Sequence, residues 1–169
     1  MHMVMQHVRL DEDITEENVL LLVDEMVAKE LLTEEQAEAI EAGQIVSFFQ
    51  TELGLRMRNA KKLVREIPFN IAYPASSVYT DWQGEDEPIL IQGIIDVYFE
   101  DEKGTVLLDY KTDAIQDRFK DGYQEAKPVL ESRYRVQIDL YADSLEKILK
   151  KPIDEKYLYF FDGANILQM

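Results

Sequence analysis

Cysteine is absent from this 169-residue chain, which excludes disulfides, thiolate zinc and cysteine-ligated iron–sulfur clusters within it. Long apolar runs are missing too: none approaches the roughly 20 residues of a membrane-spanning helix, and Met1-His2-Met3 opens no secretory leader. No Gly-x-x-x-x-Gly-Lys-[Ser/Thr] segment occurs, so the chain has no phosphate loop for ATP. Positive charge is scarce. Against 34 acids stand 18 Lys and Arg, a formal net charge of -16 that repels a polyanion at long range. Composition alone weighs against nucleic acid unless a bound divalent cation inverts the local field or a larger assembly supplies a basic track. The expectation is a soluble cytoplasmic protein without membrane partners.

What is present suffices for one core, since 46% of the chain is hydrophobic. The acids crowd into residues 11–41 and read as a solvated helical face. Thr15-Glu16-Glu17-Asn18 caps a helix reaching about Leu31. Thr33-Glu34-Glu35-Gln36 is a capping box opening another, and Ile45, Phe48, Phe49 and Leu53 recur at near-helical spacing until Gly54. The period then changes. Leu63 to Tyr73 has strand composition, with Pro68 demanding an edge position or a bulge, and Pro74 to Pro88 reads as a polar loop. Ile89 to Glu100 and Thr105 to Thr112 form a hairpin around Asp101-Glu102-Lys103-Gly104. A polar connection runs to about Pro128. A helix over 131–150 follows, with Tyr134, Ile138, Tyr141, Leu145 and Ile148 on one face, then a stop at Pro152 and a last strand over 156–161. This order predicts one α/β domain, with a helical part over 1–62 and a core over 63–169.

Two acids and a lysine sit in that hairpin where strand interiors ordinarily exclude charge: Asp96 in Gly93-Ile94-Ile95-Asp96, and Asp109 and Lys111 in Val106-Leu107-Leu108-Asp109-Tyr110-Lys111. Strand alternation puts Asp109 and Lys111 on one face roughly 7 Å apart, and Asp96 on one face with Gln92, Ile94 and Tyr98. If the turn sets Asp101 against Gly104, Asp96 falls opposite Asp109. A three-residue loop with Gly104 as a bulge sets it opposite Tyr110 instead, on the other face. Like charges placed opposite one another destabilise a sheet unless a cation lies between them, and Mg2+ is commonly held by one or two carboxylates with water and phosphate. A lysine beside such an ion can orient or deprotonate a water, or offset charge building on the phosphate. A bare Asp-x-Lys on a strand is most often a solvated edge. Here the flanking Val106-Leu107-Leu108 and Ile94-Ile95 mark central strands.

Gly93-Ile94-Ile95-Asp96, Asp109-Tyr110-Lys111 and Gln137-x-x-x-Tyr141 together resemble the PD-(D/E)XK nuclease superfamily, in particular its RecB-like branch and the nuclease domains of AddAB-type bacterial helicase–nucleases. The likeness extends to His2-Met3-Val4-Met5-Gln6-His7, without the glycine that precedes this segment in the family, and to Arg65-Glu66-Ile67-Pro68-Phe69. It covers essentially the whole chain. The resemblance implies a restriction-endonuclease-like α/β fold, a mixed sheet flanked by helices with an N-terminal helical region. It implies that His2, Asp96, Asp109 and Tyr110 bind a divalent metal, that Asp96, Asp109 and Lys111 are catalytic, and that Gln137, Tyr141 and Glu66 line the site. The implied cofactor is Mg2+, with Mn2+ as the alternative. The implied activity is exonuclease-class hydrolysis of DNA, within an ATP-dependent helicase–nuclease of double-strand break repair by recombination. The implied partners are a DNA strand, single and delivered by a helicase, and the second subunit of an AddAB-type heterodimer. His7 lies about one and a half helical turns from His2 and is read as structural.

The departure from such enzymes is the missing motor, so the chain is expected to be an excised nuclease domain that neither hydrolyses ATP nor unwinds DNA. The parts outside it would supply the basic DNA path. Two other readings stay open. A non-catalytic DNA- or subunit-docking module predicts no metal binding, and a stand-alone RecB-like nuclease requires autonomous activity despite the acidic surface.

Overall fold

The computed structural model describes residues 1–79 and 81–169, with Val78 described by its main chain only. A series of short helices leads the chain: α1 (His2–His7), α2 (Glu16–Ala28), α3 (Glu34–Glu38), α4 (Ala42–Gln50) and α5 (Glu52–Arg58). The caps expected from the sequence are made. Thr15 Oγ1 accepts the Asn18 N–H, and Thr33 and Gln36 close a reciprocal capping box. Gly54 does not end a helix, however. The break falls at Thr51, which caps α5, and Gly54 lies within α5 because a Cβ there would stand 2.1 Å from the Phe48 carbonyl. It is a close-approach glycine rather than a terminator.

Strand β1 (Lys62–Pro74) follows, then a one-turn helix α6 (Ala75–Val78) inside the stretch expected to be loop, of which Thr80 lies outside the described residues. After β2 (Pro88–Glu100), β3 (Thr105–Lys111), α7 (Tyr123–Leu149) and β4 (Glu155–Phe160), a strand that the sequence reading missed, β5 (Asn165–Gln168), completes the chain. Gly163 and Ala164 at positive φ turn it back onto β4. Helix α7 starts at Tyr123, eight residues before the expected Glu131, and contains Pro128. The proline leaves the Gln124 carbonyl without its helical donor. Ala126 and Leu130 on either side are fully buried, and their packing holds the turn.

The sheet order is β1-β2-β3-β4-β5, antiparallel throughout except for the parallel β3–β4 pair that α7 connects. This is the mixed sheet with flanking helices and N-terminal helical region expected for a restriction-endonuclease-like fold. Pro68 is accommodated because β1 is an edge strand. One sheet face, with Val97, Phe99, Val106, Leu108 and Tyr110, packs under α1, α2, α4 and α5. The other, with Ile95, Tyr98, Leu107, Leu158 and Phe160, packs under α7. No helix among the described residues is long and apolar enough to cross a membrane.

Strands β1 and β2 exchange faces halfway along. Leu63, Val97 and Phe99 belong to the core under the N-terminal helices, whereas Ile67, Phe69, Ile71 and Ile95 belong to the core under α7. Strict alternation would keep these odd-numbered residues together. The exchange falls at Glu66 and Asp96, the one facing position missing from an otherwise continuous ladder, where Glu66 takes a left-handed φ of 55°. Asp96 consequently does not share one face with Ile94 and Tyr98: Ile94 is exposed, and Tyr98 is buried under α7.

Candidate active site

The turn sets Asp101 against Gly104, and β2 pairs with β3 in the register that runs Asp96 toward Asp109. Paired residues stop at Val97 and Leu108. Beyond that point β2 leaves β3 and continues with β1 as a two-stranded arm. At the fork the Asp96 carboxylate replaces a main-chain carbonyl, accepting the Tyr110 N–H at 2.7 Å. Without it that donor would be orphaned beside an opened sheet. Glu66 in the left-handed region is unusual for a side chain of its size and costs about 1 kcal/mol or more. The strain lies directly across from Asp96.

Three further groups converge on the fork. His2 at the start of α1 donates its Nε2–H to the Tyr110 carbonyl at 2.9 Å, and the same nitrogen lies 3.6 Å from Asp96 Oδ2. Asp109 is 4% exposed, and its Oδ2 has no aligned hydrogen-bond donor among the described residues although Lys111 Nζ stands 2.5 Å away. Alternation along β3 sends Asp109 and Lys111 to the α7 side together, as expected, and the Lys111 ammonium donates to Gln137 Oε1 at 2.9 Å. Gln137 in turn donates to the Tyr141 hydroxyl at 2.9 Å, and Tyr141 packs edge-on against Phe69 of β1.

Charge at the fork is unbalanced. Burial first, then the neighbouring Asp109 and Glu66, push the Asp96 carboxyl up to about 7, against the opposing pull of the Tyr110 N–H and Lys111. Burial also raises the Tyr110 and Tyr141 phenols.

Placement of the expected site residues is therefore uneven. His2, Asp96 and the Tyr110 carbonyl form one cluster, Asp109, Lys111, Gln137 and Tyr141 form a chain on the α7 side, and Glu66 marks the strained position opposite Asp96. His7 is an exposed, intrahelical residue donating from Nδ1 to the Met3 carbonyl. Among the described residues no three His, Asp or Glu side chains stand as a preformed metal cage, which corrects the expectation that His2, Asp96 and Asp109 would already be gathered around one point. The reason is local: Asp109 Oδ2 is turned to Lys111, and Asp96 Oδ2 to the Tyr110 N–H. The donor set nevertheless suits a hard divalent cation, for it consists of two carboxylates, an imidazole and a main-chain carbonyl, one carboxylate oxygen being buried without a donor.

Sequence reasoning overlooked one member of this group. The Tyr134 ring lies 4.3 Å from Lys111 Nζ, and its hydroxyl donates to Asp113 at 2.5 Å while Arg133 holds the other Asp113 oxygen at 2.6 Å. Burial, then the Asp113 hydrogen bond, push that phenol up to about 12. Its signal was available, since Tyr134 precedes Gln137 by three residues on one helix and so shares its face.

Residues 1–166 match the PD-(D/E)XK nuclease superfamily. The AddA subunits of the ATP-dependent helicase/nuclease from Bacillus cereus strain Q1 and from Bacillus anthracis are each 50% identical over 169 residues, 99% of this chain and 14% of theirs. The corresponding protein from Bacillus cytotoxicus is 48% identical over 167 residues, 98% of this chain and 13% of its own. The chain thus spans 14% of the length of the first of these relatives.

Proposed function

This chain belongs to the PD-(D/E)XK nuclease superfamily, and from that premise we propose that it hydrolyses DNA phosphodiester bonds at the fork between β2 and β3. In this reading His2, Asp96, Asp109 and the Tyr110 carbonyl hold Mg2+ or Mn2+, and Asp96, Asp109 and Lys111 carry the chemistry. A divalent cation supplies Lewis acidity toward the phosphate when bound there. The observation that carries the proposal is the pairing of a buried, donor-poor Asp109 carboxylate with the Lys111 ammonium at 2.5 Å, beside a second buried acid.

Lys111 has three N–H donors. One faces Asp109 and one Gln137, with the Tyr134 ring close by, so the remaining donor is directed by three neighbours rather than by a flexible stem. That donor aligns the attacking water or meets the negative charge that develops on the phosphate oxygens. Tyr141 takes the amide N–H of Gln137 and so leaves the amide oxygen for Lys111. Glu66 holds the strand distortion that brings Asp96 to the fork.

The likeness to helicase/nuclease proteins extends the proposal. The domain, with residues 1–62 as its helical part, acts as the exonuclease of a cytoplasmic ATP-dependent helicase–nuclease in recombinational double-strand break repair. It receives a single strand from the helicase and works beside the second member of an AddAB-type heterodimer. The net charge of -16 supports delivery of the strand by other parts over capture by this chain.

Labelled single-stranded DNA incubated with Mg2+ or Mn2+ tests the assignment. Asp109→Ala and Lys111→Ala are expected to lower the cleavage rate by about 100-fold or more. Equal rates in the wild type and both variants overturn it. In calorimetric titration Asp96→Ala is expected to abolish metal binding, and unchanged binding removes Asp96 from the ligand set.

A further inference from the structure

Helix α1 is six residues long and has no side chain capping its N-terminus. A helix so short does not hold itself together in water. His2 at its start is nonetheless aimed at the Tyr110 carbonyl and Asp96. Val4, Met5 and Val8 are buried beneath the helical layer and account for its attachment to the sheet. Hydrophobic contact is non-directional, so it does not fix how far α1 slides along its own axis.

Direction comes from arginine. Arg65 of β1 donates from Nη1 to the Met5 carbonyl at 3.0 Å and to the Val8 carbonyl at 2.8 Å, gripping the last turn of α1. Just beyond, Arg58 at the end of α5 donates to the carbonyls of Leu10 and Glu12, each at 2.9 Å. All these acceptors are main-chain oxygens that would otherwise lack partners, and a cation at a helix C-terminus is favoured by the helix dipole. Arg65 also adjoins Glu66 in sequence. One two-residue stretch of β1 therefore carries both the strain opposite Asp96 and the grip on the helix that bears His2.

We propose that Arg65 is a positioning residue: by holding the Met5 and Val8 carbonyls it sets α1 so that His2 reaches Asp96 and the Tyr110 carbonyl, and thereby governs the affinity of the fork for a divalent cation. This rests on the reading of His2 as a ligand. Arg65 touches neither metal nor substrate in this arrangement, and acts wholly through α1.

Two measurements on the 169-residue chain test it. In a calorimetric Mn2+ titration, Arg65→Met is expected to weaken binding by roughly 10–100-fold, as loss of an outer support typically does. His2→Ala in the Arg65→Met background should add no further loss, because the imidazole is already displaced. Arg65→Lys, which keeps the charge but not the fork of donors, should fall between. Independent, multiplying losses overturn the proposal, as does wild-type affinity in Arg65→Met.

The second measurement uses the metal-free chain and long-range proton–nitrogen spectra of its two histidines. His2 faces a carbonyl through Nε2 and His7 faces one through Nδ1, so opposite tautomers are expected in the wild type. Arg65→Met and, more weakly, Arg65→Lys should erase the Nε2–H preference of His2 while His7 reports whether α1 stays helical. If His2→Ala leaves wild-type Mn2+ affinity unchanged, the ligand reading fails. The tautomer then decides the clamp: an unchanged His2 tautomer in both variants overturns it, and a lost one upholds it.

Discussion

Replacing Asp96 by Asn should move stability in opposite directions with and without metal. Asp96 is 12% exposed at its side chain and its carboxyl is pushed from 3.8 up to about 7. A raised carboxyl pKa means that the folded state binds the proton more tightly than the unfolded chain does. Stability is therefore highest while Asp96 is protonated and falls as pH rises from about 4 through about 7. Above that range the ionised group costs at most about 4 kcal/mol, the shift converted at 1.36 kcal/mol per unit. Asn retains an oxygen for the Tyr110 N–H and carries no charge to repel Asp109. In EDTA at pH 8, Asp96→Asn is expected to be more stable than the wild type by about 1–3 kcal/mol, or roughly 2–10 °C in Tm for a chain of this size. At pH 4 the difference should vanish. Adding Mg2+ or Mn2+ at about 100 times Kd should raise the wild type by about 2.7 kcal/mol and leave the variant unmoved. Thermal unfolding followed by circular dichroism at the two pH values, with and without metal, reads all of this. A variant no more stable than wild type in EDTA at pH 8, or one that gains equally from metal, refutes the reasoning.

Other perturbations have equally definite outcomes. Gln137→Ala should lower kcat about tenfold with KM nearly unchanged, because it frees Lys111 without touching the substrate path; a change confined to KM contradicts this. Tyr134→Leu removes the ring beside Lys111 and should cost about 0.5–2 kcal/mol in activation free energy, whereas Tyr134→Phe, losing only the bond to Asp113, should cost less; kcat for the two variants settles the order. Gly93→Ala sets a Cβ 2.7 Å from the Phe69 ring and should destabilise by about 1–3 kcal/mol in urea unfolding. Gly54→Ala, meeting a rigid carbonyl at 2.1 Å, should be worse than Gly93→Ala in the same measurement.

Much of this architecture was legible because the determinants are local. Thr15 and Thr33 capped the helices they announced, since an N-cap needs only its own next three residues. The turn from Asp101 to Gly104 set the β2–β3 register, and period-two alternation then sent Asp109 and Lys111 to one side. Errors arose where distant packing overrode local signals. Pro128 sits within α7 because Ala126 and Leu130 are buried against the sheet, and Gly54 sits within α5 because Phe48 approaches it. The short β5 had too few residues to show a period and exists by pairing with β4.

The sequence by itself determined the chemistry available: two aspartates and a lysine in apolar strands, a glutamine and tyrosine one helical turn apart, and no cysteine or phosphate loop to support other chemistries. Only the tertiary structure decided how these groups meet. The face exchange at Glu66 and Asp96 breaks the alternation from which Asp96 would be placed, and it opens the fork that the Asp96 carboxylate closes onto Tyr110. His2 reaches Tyr110 across 108 residues of chain through a helix too short to stand alone, carried by arginine bonds to main-chain carbonyls. Such bonds leave no periodic trace, because a carbonyl oxygen is the same in every residue and its partner is chosen by the fold.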